Sequence, residues 1–185
     1  MRNPFLIGSK VYLRPLDLED VPVLTTWLND PEVRRHLLIH RPLSRMAEET
    51  FLRKLSESES EFVLGIVVRE PEQFIGVTGL RHIDVRNRHA EFGIAIGEKT
   101  AWGSGYGTEA TRLIVRYAFE TLNFNRIWLH VGEDNERAVR VYEKVGFRTE
   151  GRLRQDMFRD GRYWDSLVMA VLRDDLRAAN QGEGG

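Results

Sequence analysis

Between Trp102 and Glu109 the chain reads Trp-Gly-Ser-Gly-Tyr-Gly-Thr-Glu, with three glycines in five positions. The run joins an apolar strand, Glu91 to Ile96, to the start of an amphipathic helix, and so commits the middle of the chain to a strand–turn–helix corner. Glycines there leave backbone N–H groups uncovered and permit positive φ. The helix start adds unpaired donors and the positive end of a macrodipole. Together these make a pocket for phosphate oxygens. An ordinary corner with glycines for geometry fits the same residues, so the loop suggests a phosphate-bearing ligand without naming it.

Common phosphate loops can be compared with it. A nucleotide triphosphatase loop requires G-x-x-x-x-G-K-[ST], and the chain holds no Gly-Lys pair. A dinucleotide fingerprint requires G-x-G-x-x-G, but Thr108 stands where the third glycine belongs. That second exclusion is the weaker, because Glu133 and Asp134 follow the next strand, Arg126 to Val131, where a ribose-binding acid would sit.

A second motif runs from Asn135 to Phe147, Asn-Glu-Arg-Ala-Val-Arg-Val-Tyr-Glu-Lys-Val-Gly-Phe. It reads as a short helix with Asn135 as N-cap, an apolar stripe of Ala138, Val141, Tyr142 and Val145, and Gly146 as the stop. Seven residues separate Asn135 from Tyr142, which places both on one face. With the glycine loop, this motif resembles the GCN5-related N-acetyltransferase (GNAT) superfamily: the loop matches its acetyl-CoA pyrophosphate loop and the helix its second cofactor motif. Asn87–Ile94 is similar to the start of that family's central strand. Glu150–Arg154 and Asp160–Asp165 resemble the closing hairpin of the RimJ/RimL-type subgroup, and Val11–Leu16 with Asp20 its first strand and helix. The resemblance spans roughly Lys10 to Leu172.

Composition agrees with one soluble domain. The chain has 185 residues, 42% hydrophobic and 30% charged, with a net charge of −1. Bulk charge favours neither nucleic acid nor a membrane surface. No long apolar run or signal-peptide pattern is present. With no cysteine, disulfides and thiolate chemistry are excluded, and a cytoplasmic site of action is expected. Five scattered histidines without H-E-x-x-H point to no metal.

Period-two segments predict strands at Lys10–Leu16, Phe62–Arg69, Phe74–Ile83, Ala90–Ile96 and Arg126–Val131, and a hairpin of Phe147–Phe158 with Arg162–Leu172. Helices are predicted from Asp17 to Trp27, where Asp30-Pro31 follows as a break, from Ser44 to Ser58 with an approximate capping box, and after the glycine loop, and residues 32–40 carry a weak helical period. In that last helix Glu109, Arg112, Arg116 and Glu120 fall on the wet side. The expected fold class is α+β: a mixed, mostly antiparallel central sheet of about seven strands with about four helices on its faces. Residues 1–178 form one domain, in which 17–58 are acceptor-site helices and 90–147 the acetyl-CoA-binding core; 179–185 are an expected disordered tail.

The resemblance implies acetyl transfer from acetyl-CoA to a primary amine by direct attack in a ternary complex, with no metal. It places Trp102, Gly103, Ser104, Gly105, Tyr106, Gly107 and Thr108 on the coenzyme diphosphate, and Phe92, Ile94, Ala95 and Ile96 beside its pantetheine arm. A backbone N–H near Ile94 or Ala95 would bind the thioester oxygen. Small residues at Gly93 and Ala95 fit close backbone approach, and fit a strand packed under a helix equally well. Tyr142 is the implied general acid. Asn135, Ala138 and Lys144 are implied cofactor contacts, although capping explains Asn135 and solvation Lys144. Glu91 is the candidate base, with a salt bridge as its other reading and His82, Asp84 and His89 as rivals. A peptide α-amine titrates near 8 and a lysine amine near 10.4, so the α-amine is easier to deprotonate by about 3 kcal/mol. A protein or peptide N-terminus is therefore the first expected acceptor and a polyamine or other small amine the second. Residues 34–57 mix Glu48, Glu49 and Glu57 with Arg34, Arg35, Arg41, Arg45 and Arg53 and do not choose. A non-catalytic acyl-CoA-binding module is the alternative of another class; the sequence does not fix the oligomeric state, and exposed sheet edges leave a homodimer open.

Overall fold

Val11, Tyr12, Leu13 and Arg14 are all buried, so the first long strand is covered on both faces. Val11 and Leu13 belong to the main apolar cluster, whereas Tyr12 lies outside it, as period-two alternation requires. The computed structural model describes residues 1–37 and 39–176; the expected tail, and the end of the expected domain, lie outside the described residues.

The order along the chain is β1 (Leu6–Ile7), β2 (Val11–Pro15), α1 (Val21–Asn29), α2 (Pro31–Arg34), α3 (Arg45–Ser56), β3 (Phe62–Val68), β4 (Gln73–Asp84), β5 (His89–Ile96), α4 (Tyr106–Glu120), β6 (Arg126–Gly132), α5 (Glu136–Val145), β7 (Arg148–Arg159) and β8 (Arg162–Leu172). One eight-stranded sheet follows the order β1-β2-β3-β4-β5-β6-β8-β7. Only β5 and β6 run parallel, because α4 carries the chain back between them. Helix α4 packs against β2, β4, β5 and β6, and α1 and α3 pack together with α3 on β3.

The strand beyond the expected seven is β1, whose two residues are too few to show a period. The helix beyond the expected four is α2. Asp30-Pro31 does end α1, but the Asp30 side chain then accepts from the N–H of Glu32 and of Val33, and Pro31 takes the first helical position. The same dipeptide therefore stops one helix and starts another. Residues 173–176 are also helical. At α3, Ser44 accepts from the Ala47 N–H, and Ala47 offers no acid in return, so the cap is one-sided.

Two ties hold the periphery to the sheet. Arg14 makes a bidentate pair with Asp20, at 2.8 Å and 2.7 Å, and both side chains are buried. Asp20 also accepts from the Asp17 N–H at 2.9 Å, which locks the turn into α1. Glu109 is half-buried rather than on the wet side. Its carboxylate accepts from the N–H and hydroxyl of Ser9 and from the Lys10 N–H, joining the β1–β2 turn to the first turn of α4.

Candidate active site

Strands β5 and β6 separate after a short shared stretch. Their pairing covers only His89↔Arg126, Ala90↔Ile127 and Glu91↔Trp128, while β5 continues to Ile96 and β6 to Gly132. The other edge of β5 stays paired with β4 as far as Ile96. Backbone groups of Phe92 and Ile94 on the β6 side have no strand partner there. A cleft of about 950 Å³ opens along this fork.

Phe92, Ile94, Ala95, Ile96, Trp102, Gly107, Asn135, Ala138 and Tyr142 all line the cleft. Gly103, Ser104, Gly105, Tyr106 and Thr108 form the corner beside it and the first turn of α4. Gly105 is the N-cap of α4 with φ of 85°, and Gly103 has φ of 82°. A methyl on Gly105 would meet nothing closer than the Lys10 Nζ at 3.7 Å, so the obstacle there is conformational and not steric. Left-handed backbone costs a non-glycine residue about 1–2 kcal/mol. Gly105→Ala should therefore lower the melting temperature by about 2–8 °C in thermal melts. Gly107 is already helical, and a methyl on it would make ordinary contacts at 3.9 Å with Ile94 and Ile96, so Gly107→Ala should melt with the parent.

Trp102 donates its indole N–H to the Ile96 carbonyl at 2.9 Å, which ties the corner to the end of β5. Asn135 caps α5 by accepting from the Ala138 N–H at 3.3 Å and also lines the cleft. Lys144 lies in the last turn of α5 outside the cleft lining, and its carbonyl accepts from Arg112.

Tyr142 reaches the cleft from α5 with its ring against Phe92 and Phe147, at 6.1 Å and 5.7 Å between centroids. Burial pushes its phenol up to about 12, which keeps the proton in place at any working pH. Glu91 sits at the last paired position before the strands part. Its carboxylate is buried and turned to Arg81 at 2.6 Å and to His82 Nδ1 at 2.7 Å, and it does not line the cleft. Of its rivals, His82 contacts it directly, whereas Asp84 and His89 face each other at 3.7 Å.

The structure also sorts the charges that the sequence mixes. Among the acids and arginines named in residues 34–57, only Arg35 and Glu48 line the cleft. Glu48 is buried in the wall formed by α3, and burial raises its carboxyl above the ordinary range, with no hydrogen-bond partner for its side chain among the described residues. Glu32, Glu61, Asp134, Glu136 and Asp156 line the cleft too, against the guanidiniums of Arg35, Arg81 and Arg137. Nothing in the local pattern around Glu48 separates it from its neighbour Glu49; only the packing of α3 turns one inward.

Known proteins are similar to this chain in sequence and fold. Residues 10–148 match the family model described as an acetyltransferase (GNAT) domain. The "Uncharacterized N-acetyltransferase p20" of Bacillus licheniformis is 30% identical over 172 residues, 91% of this chain and 96% of that protein. The spermidine N(1)-acetyltransferase of Escherichia coli (strain K12) is 30% identical over 180 residues, 96% of this chain and 94% of that protein. A crystal structure of spermidine N-acetyltransferase from Vibrio cholerae, in complex with CoA and spermine, aligns with a TM-score of 0.85 at 28% identity, over 91% of this chain and 98% of that one. The same Vibrio cholerae enzyme also has a dodecameric structure.

Proposed function

This chain belongs to the GNAT acetyltransferase family and is an acetyl-CoA-dependent N-acetyltransferase; on that premise we propose that its acceptor is a polyamine or a similar small aliphatic amine. The observation that carries this reading is a set of cleft-lining carboxylates with no basic partner among the described residues, Glu48, Glu61 and Asp156, whereas Glu32, Asp134 and Glu136 are already paired with Lys99, Arg159 and Arg140. Such a lining favours a substrate with more than one ammonium group. Glu48, buried and unpartnered, is the group with most to gain from a cation. The relatives named for spermidine support the same choice over the peptide N-terminus, which pKa alone would favour.

In this reading the corner from Gly103 to Thr108 holds the coenzyme diphosphate, and the free edge of β5 pairs with the pantetheine arm and offers the Ile94 N–H to the thioester oxygen, since the antiparallel register commits the Ala95 N–H to β4. The acceptor nitrogen attacks the carbonyl directly. Tyr142 donates to the departing thiolate. Transfer from a phenol near 12 to a thiolate whose conjugate acid is near 8.5 in water is uphill by about 5 kcal/mol. The same dry cleft raises the thiol too, so donation keeps pace with C–S cleavage instead of preceding it. Glu91, turned away from the cleft, receives the amine's proton through water or the His82 ring and not by contact. Assembly into several copies, without a fixed number, and a cytoplasmic site of action complete the reading.

Thiol release from acetyl-CoA, followed with spermidine, spermine and putrescine beside peptides with free α-amines, tests the acceptor. Polyamine turnover should exceed peptide turnover. Turnover of peptides alone would return the acceptor to a protein N-terminus, and no turnover with saturable CoA binding would make the chain a binding module. In the same assay Glu48→Gln should raise the polyamine KM about tenfold with little change in kcat.

A further inference from the structure

The corner that holds the diphosphate contains no cation: its residues are Gly103, Ser104, Gly105, Tyr106, Gly107 and Thr108. Backbone N–H groups and the start of α4 supply partial charge only. A coenzyme A diphosphate brings two full negative charges, and the 3′-phosphate adds to them. Full positive charge must come from elsewhere in the fold, and two side chains from distant segments are built into place beside the corner.

Arg137, in the first turn of α5, stacks its guanidinium over the Trp102 ring at 4.8 Å from the centroid. Trp102 is itself fixed by its bond to the Ile96 carbonyl, so the platform under Arg137 is rigid. Both residues line the cleft. Among the described residues no carboxylate or carbonyl engages Arg137, so its five N–H donors are uncommitted. Stacking on one face leaves the planar edge of a guanidinium available for phosphate.

Lys10 arrives from the β1–β2 turn. Its Nζ lies 3.5 Å from the Ser104 carbonyl, within the corner itself. It is held there through the main chain: Glu109 accepts from the N–H groups of Ser9 and Lys10. Gly8 is required for this, since a side chain there would run into the Glu109 carboxylate. Glu109 thus joins the first turn of α4 to the segment that presents Lys10.

We propose that Arg137 and Lys10 are the coenzyme-phosphate cations of this enzyme, Arg137 as a bidentate donor to the diphosphate and Lys10 as an outer charge at the same corner. The proposal rests on the coenzyme reading above and adds two residues to it. Charge-assisted hydrogen bonds from a partly shielded guanidinium translate into a tenfold or greater change in affinity, roughly, and an exposed ammonium into a few-fold one.

Calorimetric titration with CoA and with pantetheine, which lacks every phosphate, separates the outcomes. Arg137→Ala should weaken CoA about tenfold or more, Lys10→Ala about two- to fivefold, and Arg137→Lys should recover part of the loss. Pantetheine affinity should stay at the parent value in all three, and melts of the free variants should match the parent. Unchanged CoA affinity in Arg137→Ala, or equal weakening of CoA and pantetheine, overturns the proposal while the coenzyme reading stands. Failure of the parent protein to bind CoA removes both.

Discussion

Tyr142→Phe should lower kcat by about 10²–10⁴-fold, the range for loss of a positioned general acid, with the acetyl-CoA KM little changed. The hydroxyl is the only group removed, and it has no hydrogen-bond partner among the described residues. The ring keeps its packing on Phe92 and Phe147. Removing a hydroxyl that faces the cleft and bonds to no described residue leaves no buried group stranded, so thermal melts of the variant should match the parent. A fall in kcat without a fall in melting temperature separates chemistry from folding. Parent-level kcat in the variant would take Tyr142 out of the mechanism and leave it a core aromatic. Because burial holds the phenol near 12, no ionisation of Tyr142 should mark the parent's rate profile between pH 6 and 9.

Asp20→Ala should have the largest effect on stability, a loss of about 3–5 kcal/mol, because it strands the buried Arg14 guanidinium without its partner. Denaturant unfolding measures it directly. The pair also gives stability an acid limb. Burial by itself would raise the Asp20 carboxyl, but the Arg14 guanidinium and the Asp17 N–H outweigh it and leave the group below its ordinary 3.8. A carboxyl depressed in the folded state binds fewer protons there than in the unfolded chain. Its stabilisation is therefore complete above the unfolded value and is lost as pH falls through 3.8 toward the folded value. Parent protein should lose stability in that window, and Asp20→Ala should show a flatter acid limb. An equally steep limb in the variant would assign the loss to other carboxylates.

The proposed coenzyme and acceptor sites draw on different parts of the chain, and they were unequally legible. The residues proposed for the coenzyme lie in short segments: a glycine corner of contiguous residues, a helix cap at Asn135, and Tyr142 two turns later on the same face. Contiguous residues keep their relative geometry in any fold that preserves the element, so local pattern suffices. The acceptor side is assembled from α1, α2, α3, β4 and the hairpin, and its acids look like ordinary surface charge in one dimension. Glu48 and Glu49 are neighbours of one type, and one is buried and the other exposed. Glu91 shows the opposite failure. Its place near the start of β5 follows from the strand pattern, yet the direction of its carboxylate was decided by Arg81 and His82 on the neighbouring strand β4.

From local order in the chain alone came the strands and most helix boundaries, the corner with its positive-φ glycines, and the face shared by Asn135 and Tyr142, because hydrophobic period, caps and glycine conformations act within a few residues. Tertiary structure decided where β5 and β6 part, which carboxylates enter the cleft, and that Arg137 stacks on Trp102 while Lys10 reaches the Ser104 carbonyl. Those outcomes depend on contacts between residues as far apart as Lys10 and Ser104, whose approach is set by sheet register and helix packing and by no pattern short enough to read along the chain.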